Sequence, residues 1–333
     1  MRWQPPSSLP TMRGAETSQA ARSEASLHVV AGVGAVGRAV INELVNRGLA
    51  VRAIARHAVA GLPRGVDLVQ ADITDAQAAR HAMTGATVVY HTASAPYHRW
   101  PEFLPPLMRG VLEGAASTGA RIVYADNLYA YGPVDGALTE DLPSRATGSN
   151  GRVRATLADQ LMEAHAAGTV LATIGRASDY YGPYGRQSTA GERLFDPALA
   201  GKTTQVLGDP DLLHTFTYLG DFARGLVTLG THDEAFGEVW HLPSAETLST
   251  REFAGLIFDA AGQPLKLGVL PSALLAVLAL FSPTLRAVRE QQYQREAPWV
   301  VDHSKFAKAF GAACTSHGEA IAATLDWYRS GTL

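Results

Sequence analysis

Cysteine is almost absent from this 333-residue chain: Cys314 stands alone. A lone thiol excludes an intramolecular disulfide and any cysteine-based metal centre, and it suits a reducing, cytoplasmic compartment. Lysine is nearly as scarce, with none before Lys202. The formal net charge is −3 and no basic run occurs, so a nucleic-acid partner is not expected. No apolar run reaches the roughly 20 residues of a membrane-spanning helix, so no membrane partner is expected. The most apolar stretch, residues 267–281, is interrupted by Gly268 and Pro271. It reads as a buried helix, with an oligomer or membrane contact as the lesser alternative. Residues 1–26 hold Pro5, Pro6, Pro10 and much Ser, Thr and Ala, without the apolar h-region of a signal peptide. They read as a disordered leader, with Met12 as an alternative start. His91 and His98 stand seven apart with no acidic partner at ligand spacing, so no metal site is expected.

What is there begins with an apolar run that ends in Gly32, Gly34 and Gly37, the spacing G-x-G-x-x-G. A helical pattern follows at once: Val36, Val40 and Leu44 recur every four residues and share one face. Gly48 supplies a C-terminal stop, and residues 49–55 read as a second strand. A strand, tight turn, helix and strand of this length make a dinucleotide-binding crossover. The first glycine permits the sharp exit from the strand, the second lets backbone approach a pyrophosphate, and the third lets the helix sit close to the sheet. Free N–H groups at the helix start complete the cradle. On this reading Gly32, Val33, Gly34, Ala35, Val36 and Gly37 hold the cofactor; the plainer alternative is an ordinary Gly-rich turn.

No acidic residue occurs from Leu49 to Val66, where an NAD site usually places a carboxylate for the ribose 2′-hydroxyl. Arg56 stands there instead, and a guanidinium suits a 2′-phosphate. NADP is therefore favoured over NAD, the alternative being that Arg56 is a solvated strand-end arginine.

Further strands are expected at residues 66–71, 86–93 and 120–124, with helices between them. The alternation predicts an α/β fold, a doubly wound parallel sheet of the Rossmann type. The fourth strand ends in small residues, Ala93 among them, where backbone passes close to a ligand. The following Tyr97, His98, Arg99 and Trp100 read either as a substrate-facing loop or as an anchor for the next helix. The boundaries expected are a dinucleotide-binding core over 27–183 and a mixed region over 184–333, where a smaller C-terminal substrate lobe alternates with returns to the sheet.

The chain resembles the extended short-chain dehydrogenases/reductases, the superfamily of NAD-dependent epimerases and dehydratases. The resemblance runs over residues 27–328 and rests on ordered motifs. Asp72, Ile73, Thr74 and Asp75 resemble the family's D-x-x-D turn, which implies that Asp72 and Ile73 flank the adenine. Residues 126–133 resemble S-S-x-x-V-Y-G, residues 176–183 resemble R-x-x-N-x-Y-G-P, and residues 207–210 with 216–221 resemble G-D-G…F-V-Y-V-D-D. Residues 302–306 resemble D-x-S-K. A homodimer is implied by the family alone.

The family's chemistry uses a Tyr-x-x-x-Lys pair on one helical face and a Ser or Thr after the fifth strand. This chain has no Tyr-x-x-x-Lys at all. Gly151 is read at the tyrosine position, and the lysine falls on Ala155, or on Arg154 if the alignment slips by one. Asn127 replaces the Ser or Thr. The catalytic candidates are therefore Asn127, Tyr131 and Arg154, with Tyr129, Tyr180, Tyr181, Arg152 and Asp179 as neighbours of interest. Tyr131 also has a plain packing role open to it. Two functions are expected: an NAD(P)-binding epimerase/dehydratase- or reductase-like enzyme acting on a small hydroxyl or carbonyl substrate with a non-standard active site, or a non-catalytic NAD(P)-binding redox sensor.

Overall fold

A computed structural model describes residues 26–331; all but the last residue of the proposed leader lies outside them. Six strands come first: Leu27–Ala31 (β1), Ala50–Ala55 (β2), Asp67–Gln70 (β3), Ala86–His91 (β4), Arg121–Asn127 (β5) and Ala172–Ala177 (β6). Helices Ala35–Asn46 (α1), Ala76–Ala82 (α2), Trp100–Thr118 (α3) and Ser149–Ala166 (α4) alternate with them. The chain continues through Asp179–Tyr181 (β7), Glu192–Ala200 (α5), Thr204–Leu207 (β8), Leu213–His214 (β9), Phe216–Tyr218 (β10), Leu219–Thr231 (α6) and Val239–His241 (β11). It ends with Leu248–Ser249 (β12), Thr250–Ala260 (α7), Leu267–Leu270 (β13), Ser272–Phe281 (α8), Pro283–Arg289 (α9), Ser304–Phe310 (α10) and His317–Arg329 (α11).

Seven strands form one parallel sheet in the order β11-β6-β5-β4-β1-β2-β3. The order reverses beside β1, where the chain first builds outward through β2 and β3 and then returns to β4. That switch point opens a crevice at the carboxyl ends of the strands, where doubly wound sheets bind ligands. Alternation along β1 sends Val29 and Ala31 into one core, with α2, α3 and α4. Val30 enters the other, with α1 and α6. Both faces are thus apolar, as a covered parallel sheet requires.

Local signals set the ends of the elements. Gly48, at φ +71°, closes α1, with Gly48 N bonded to Val45 O and Leu49 N to Leu44 O. Asp75 caps α2 by accepting from Ala78 N at 2.7 Å. Ser249 and Glu252 form a capping box on α7.

A smaller core of Tyr181, Phe195, Phe216, Phe253, Ile257 and Leu325, with their neighbours, forms beyond β6. The chain returns from this region to the main sheet through β11. The apolar stretch expected as a buried helix is corrected here. In α8 Leu275 and Ala279 are buried, whereas Leu274, Val277, Leu278, Leu280 and Phe281 are exposed. Periodicity could not detect this, because every face of the helix is apolar.

Candidate functional site

The glycine turn has the shape that its spacing predicts. Gly32 is at φ +106°, and a Cβ on it would collide with the Ala93 backbone. A Cβ on Gly37 would collide with Gly32 O, while one on Gly34 would meet nothing within 4 Å. The first and third glycines are thus required by the protein's own packing. The second faces open space at the start of α1, which has no side-chain cap and no acidic residue in its first turn. Thr92 Oγ1 donates to Gly32 O at 2.7 Å and holds the turn against the end of β4. Val36 and Ala93 line the cavity described next.

Asp72 is exposed, and its carboxylate accepts from both the backbone and the hydroxyl of Thr74, which holds its pKa below the ordinary carboxylate value. Ile73 beside it is buried. Arg56 is exposed just past the end of β2.

A cavity of about 280 Å³ opens at the carboxyl ends of β1, β4, β5 and β6 and runs towards the smaller core. Asn127 and Arg154 both line it. Asn127 Oδ1 accepts from Tyr129 N at 3.1 Å, which leaves its amide nitrogen as a donor. Tyr131 does not line the cavity. Its hydroxyl is bonded to His241 Nε2 at 2.8 Å, and its ring packs with Leu128, Leu138 and Trp299. The catalytic expectation for Tyr131 is corrected: in the 3-10 turn Tyr129–Tyr131 the two tyrosines diverge, and it is Tyr129 that lines the cavity.

On α4 it is Arg154, the slipped alternative, and not Ala155 that lines the cavity. Gly151 is packed against the 3-10 turn, where a Cβ would come 2.6 Å from Tyr129 O. Asn150 and Arg154, four apart, share one face of the helix, and Arg154 reaches the cavity while Asn150 is buried beside it. Asn150 Nδ2 donates to Tyr97 O at 3.0 Å, and its Oδ1 is buried without a partner among the described residues. Arg154 stacks over Trp100 at 4.2 Å and donates from Nη1 to Tyr124 at 2.8 Å and to Asp126 at 3.3 Å. Asp126 also accepts from Arg176 Nε at 3.0 Å. One buried carboxylate thus serves two guanidiniums, and the group keeps a net positive charge.

Sequence reasoning missed Tyr97 as a site residue in its own right. Tyr97 and Trp100 both line the cavity, His98 and Arg99 do not, and Trp100 also begins α3. Tyr97 and Tyr129 meet edge to face with ring centroids 6.3 Å apart, and Asn150 holds the Tyr97 carbonyl. Burial raises the pKa of both tyrosines; the neighbouring Tyr129 and Asn150 offset part of the rise of Tyr97, whereas Tyr97 adds to that of Tyr129. Tyr97 is thus the more acidic of the pair, and it is protonated at neutral pH.

Asp179 is not a free base. Burial works to raise its pKa, but Arg295 Nη2 at 2.7 Å and His214 Nε2 at 3.2 Å outweigh it and hold the carboxyl at about 2. Among the described residues no group of His, Cys, Asp and Glu is placed to hold a metal ion.

Taken together, the glycine turn, the uncapped helix start and the crevice at the switch point define a dinucleotide-binding α/β protein. The chain belongs to the NAD dependent epimerase/dehydratase family, whose sequence pattern matches residues 28–242. Among curated relatives, it is 28% identical over 216 residues to dTDP-glucose 4,6-dehydratase of Streptomyces griseus, covering 62% of this chain and 65% of that protein. It is 25% identical over 227 residues to 3beta-hydroxysteroid-dehydrogenase/decarboxylase isoform 2 of Arabidopsis thaliana, covering 61% of this chain and 39% of the relative. The chain therefore spans less than two thirds of the length of either. In fold it is similar to UDP-glucuronic acid 4-epimerase from Bacillus cereus, solved with UDP-glucuronic acid and NAD, at TM-score 0.75 and 20% identity over 92% of this chain and 100% of that one.

Proposed function

We propose that the protein is a cytoplasmic NAD(P)-binding enzyme that handles a small hydroxyl or carbonyl compound without the family's Tyr-x-x-x-Lys pair. The turn of Gly32, Gly34 and Gly37 suits a pyrophosphate, because Gly34 leaves the backbone open while its two partners cannot carry a side chain. Asp72 and Ile73 stand for the adenine. Arg56, with no carboxylate at the end of β2, favours the 2′-phosphate of NADP. A bound nicotinamide supplies hydride transfer. The chain's own residues must then hold the reacting oxygen and move its proton.

Asn127 offers an amide donor for that oxygen. The single observation that carries the catalytic reading is that Tyr97 lines the cavity beside Tyr129, with its backbone fixed by Asn150. Being protonated at neutral pH, Tyr97 is suited to give a proton to a carbonyl oxygen, which favours the reductive direction. Arg154 keeps Nη2 for a ribose or substrate hydroxyl, while its charge is shared with Asp126.

The test has two stages. Calorimetric titration with NADPH and with NADH comes first, and preference for NADPH is expected. Reduction of a panel of ketones and aldehydes by the wild type and by Tyr97→Phe comes second. Equal turnover by the two would remove Tyr97 from the chemistry.

A second reading, a cofactor-binding sensor without turnover, is favoured by one observation: no Tyr-x-x-x-Lys occurs anywhere in the chain. Tight cofactor binding with no turnover across the panel would select it.

A further inference from the structure

Helix α8 lies on the surface with an apolar stripe facing outward. Leu274, Val277, Leu278 and Phe281 follow the spacing i, i+3, i+4, i+7, and are 45%, 52%, 40% and 83% exposed. Leu280 beside them is 68% exposed. Leu275 and Ala279 seat the helix, and Gln292 Nε2 donates to Ser272 Oγ at 3.0 Å to tie down its start. Single exposed apolar residues are ordinary, whereas a continuous stripe marks a contact.

Area argues against a second copy as the occupant. A ten-residue helix is about 15 Å long and about 10 Å wide. Its outer face therefore covers on the order of 150 Å², far below the ~800 Å² that each partner of a stable interface buries. Charge argues for a bilayer. From residue 266 to 289 the ionisable side chains are Lys266, Arg286 and Arg289, all exposed, with no Asp or Glu. The next acid, Glu290, is engaged by Ser149, accepting from its N at 2.7 Å and its Oγ at 2.8 Å. An apolar stripe bracketed in the chain by cations matches the boundary between acyl chains and anionic headgroups.

We propose that α8 docks the protein on the surface of an anionic membrane. No helix among the described residues is long and apolar enough to cross one, so the contact is with one leaflet. This replaces the expectation of no membrane partner. The neighbouring α9 supplies Thr284 and Val288 to the cavity wall, so the docked helix stands beside the cavity. The proposal holds whether or not the cavity is catalytic.

The test is co-sedimentation of the full chain with vesicles of phosphatidylcholine, with and without phosphatidylglycerol. Binding to the phosphatidylglycerol vesicles, weakened by salt, is expected. The double variant Leu280→Asp/Phe281→Asp should bind at least ~10-fold more weakly, since both side chains would carry charge into the acyl boundary. Arg289→Glu should also weaken binding. Both altered apolar positions are exposed, so an unchanged melting temperature serves as the control for folding. The proposal is overturned if the wild type does not bind phosphatidylglycerol vesicles, or if the double variant binds equally well. It is also overturned if the stripe instead mediates a concentration-dependent dimer without vesicle binding.

Discussion

At the scale of single residues, the site turns on which tyrosine reaches the cavity. Tyr97→Phe is expected to lower turnover by roughly 100-fold or more, the loss typical of a missing general acid. Tyr131→Phe should leave turnover intact and cost about 1 kcal/mol of stability, because it removes one buried hydrogen bond, that to His241. Rate assays and denaturant melts on the two variants separate the roles, and a rate loss in Tyr131→Phe alone would reverse the assignment. Arg154 tests the buried charge group. Arg154→Met leaves Asp126 with Arg176 alone and strips Tyr124 of a donor. A loss of about 3 kcal/mol is expected by urea unfolding, as for other broken buried pairs. A tyrosine placed at Gly151, the position read from the sequence, should fail to fold in for a steric reason, since a Cβ there would press on Ala146 at 2.5 Å and on Tyr129 O at 2.6 Å.

At the scale of elements, the glycine turn makes a prediction that separates packing from binding. Gly34 has φ −81°, within the range any residue adopts, and faces open space. Gly34→Ala should keep the melting temperature and lose cofactor affinity by at least ~10-fold, because the new methyl lies where the pyrophosphate approaches. Gly37→Ala should lose both, because its methyl meets Gly32 O inside the crossover. If Gly34→Ala bound NADPH as the wild type does, the cradle would not be a phosphate site. This element was legible from residue spacing alone, since the steric demand on a glycine is local. The register of α4 was not. Its outward and inward faces differ little in hydropathy, and only the packing of Gly151 on the Tyr129 turn decides that Arg154 reaches the cavity.

At the scale of the whole molecule, buried imidazoles make stability depend on acid. Burial, assisted by neighbouring arginine charge, lowers His28 to about 4, His91 to about 3 and His241 to about 4, each from 6.5. A folded pKa below the unfolded one means that the unfolded chain takes up protons first as pH falls. Stability is therefore full above about 6.5 and is lost progressively towards the folded values, by up to about 1.4 kcal/mol per pH unit for each histidine. Asp179, held at about 2, adds a further loss only below its ordinary 3.8. Calorimetric melting between pH 7.5 and about 4.5 should show a steep fall, made shallower by His91→Phe; a flat profile would contradict it. Saturating NADPH should raise the melting point at every pH in that range, since a ligand at about 100 times its Kd adds about 2.7 kcal/mol.

Taken by itself, the sequence determined the parallel sheet with its covering helices and the glycine turn, because hydrophobic alternation, caps and glycine sterics act over a few residues. It also exposed the missing Tyr-x-x-x-Lys, an absence that needs no structure to see. Only the tertiary structure decided that Tyr131 turns into the core while Tyr97 and Tyr129 meet in the cavity, and that Arg154 and Arg176 share Asp126. Only the tertiary structure, too, put α8 on the surface rather than inside. Each of these depends on residues far apart in the chain or on the choice between two equally apolar faces, and that choice is made by what packs against them.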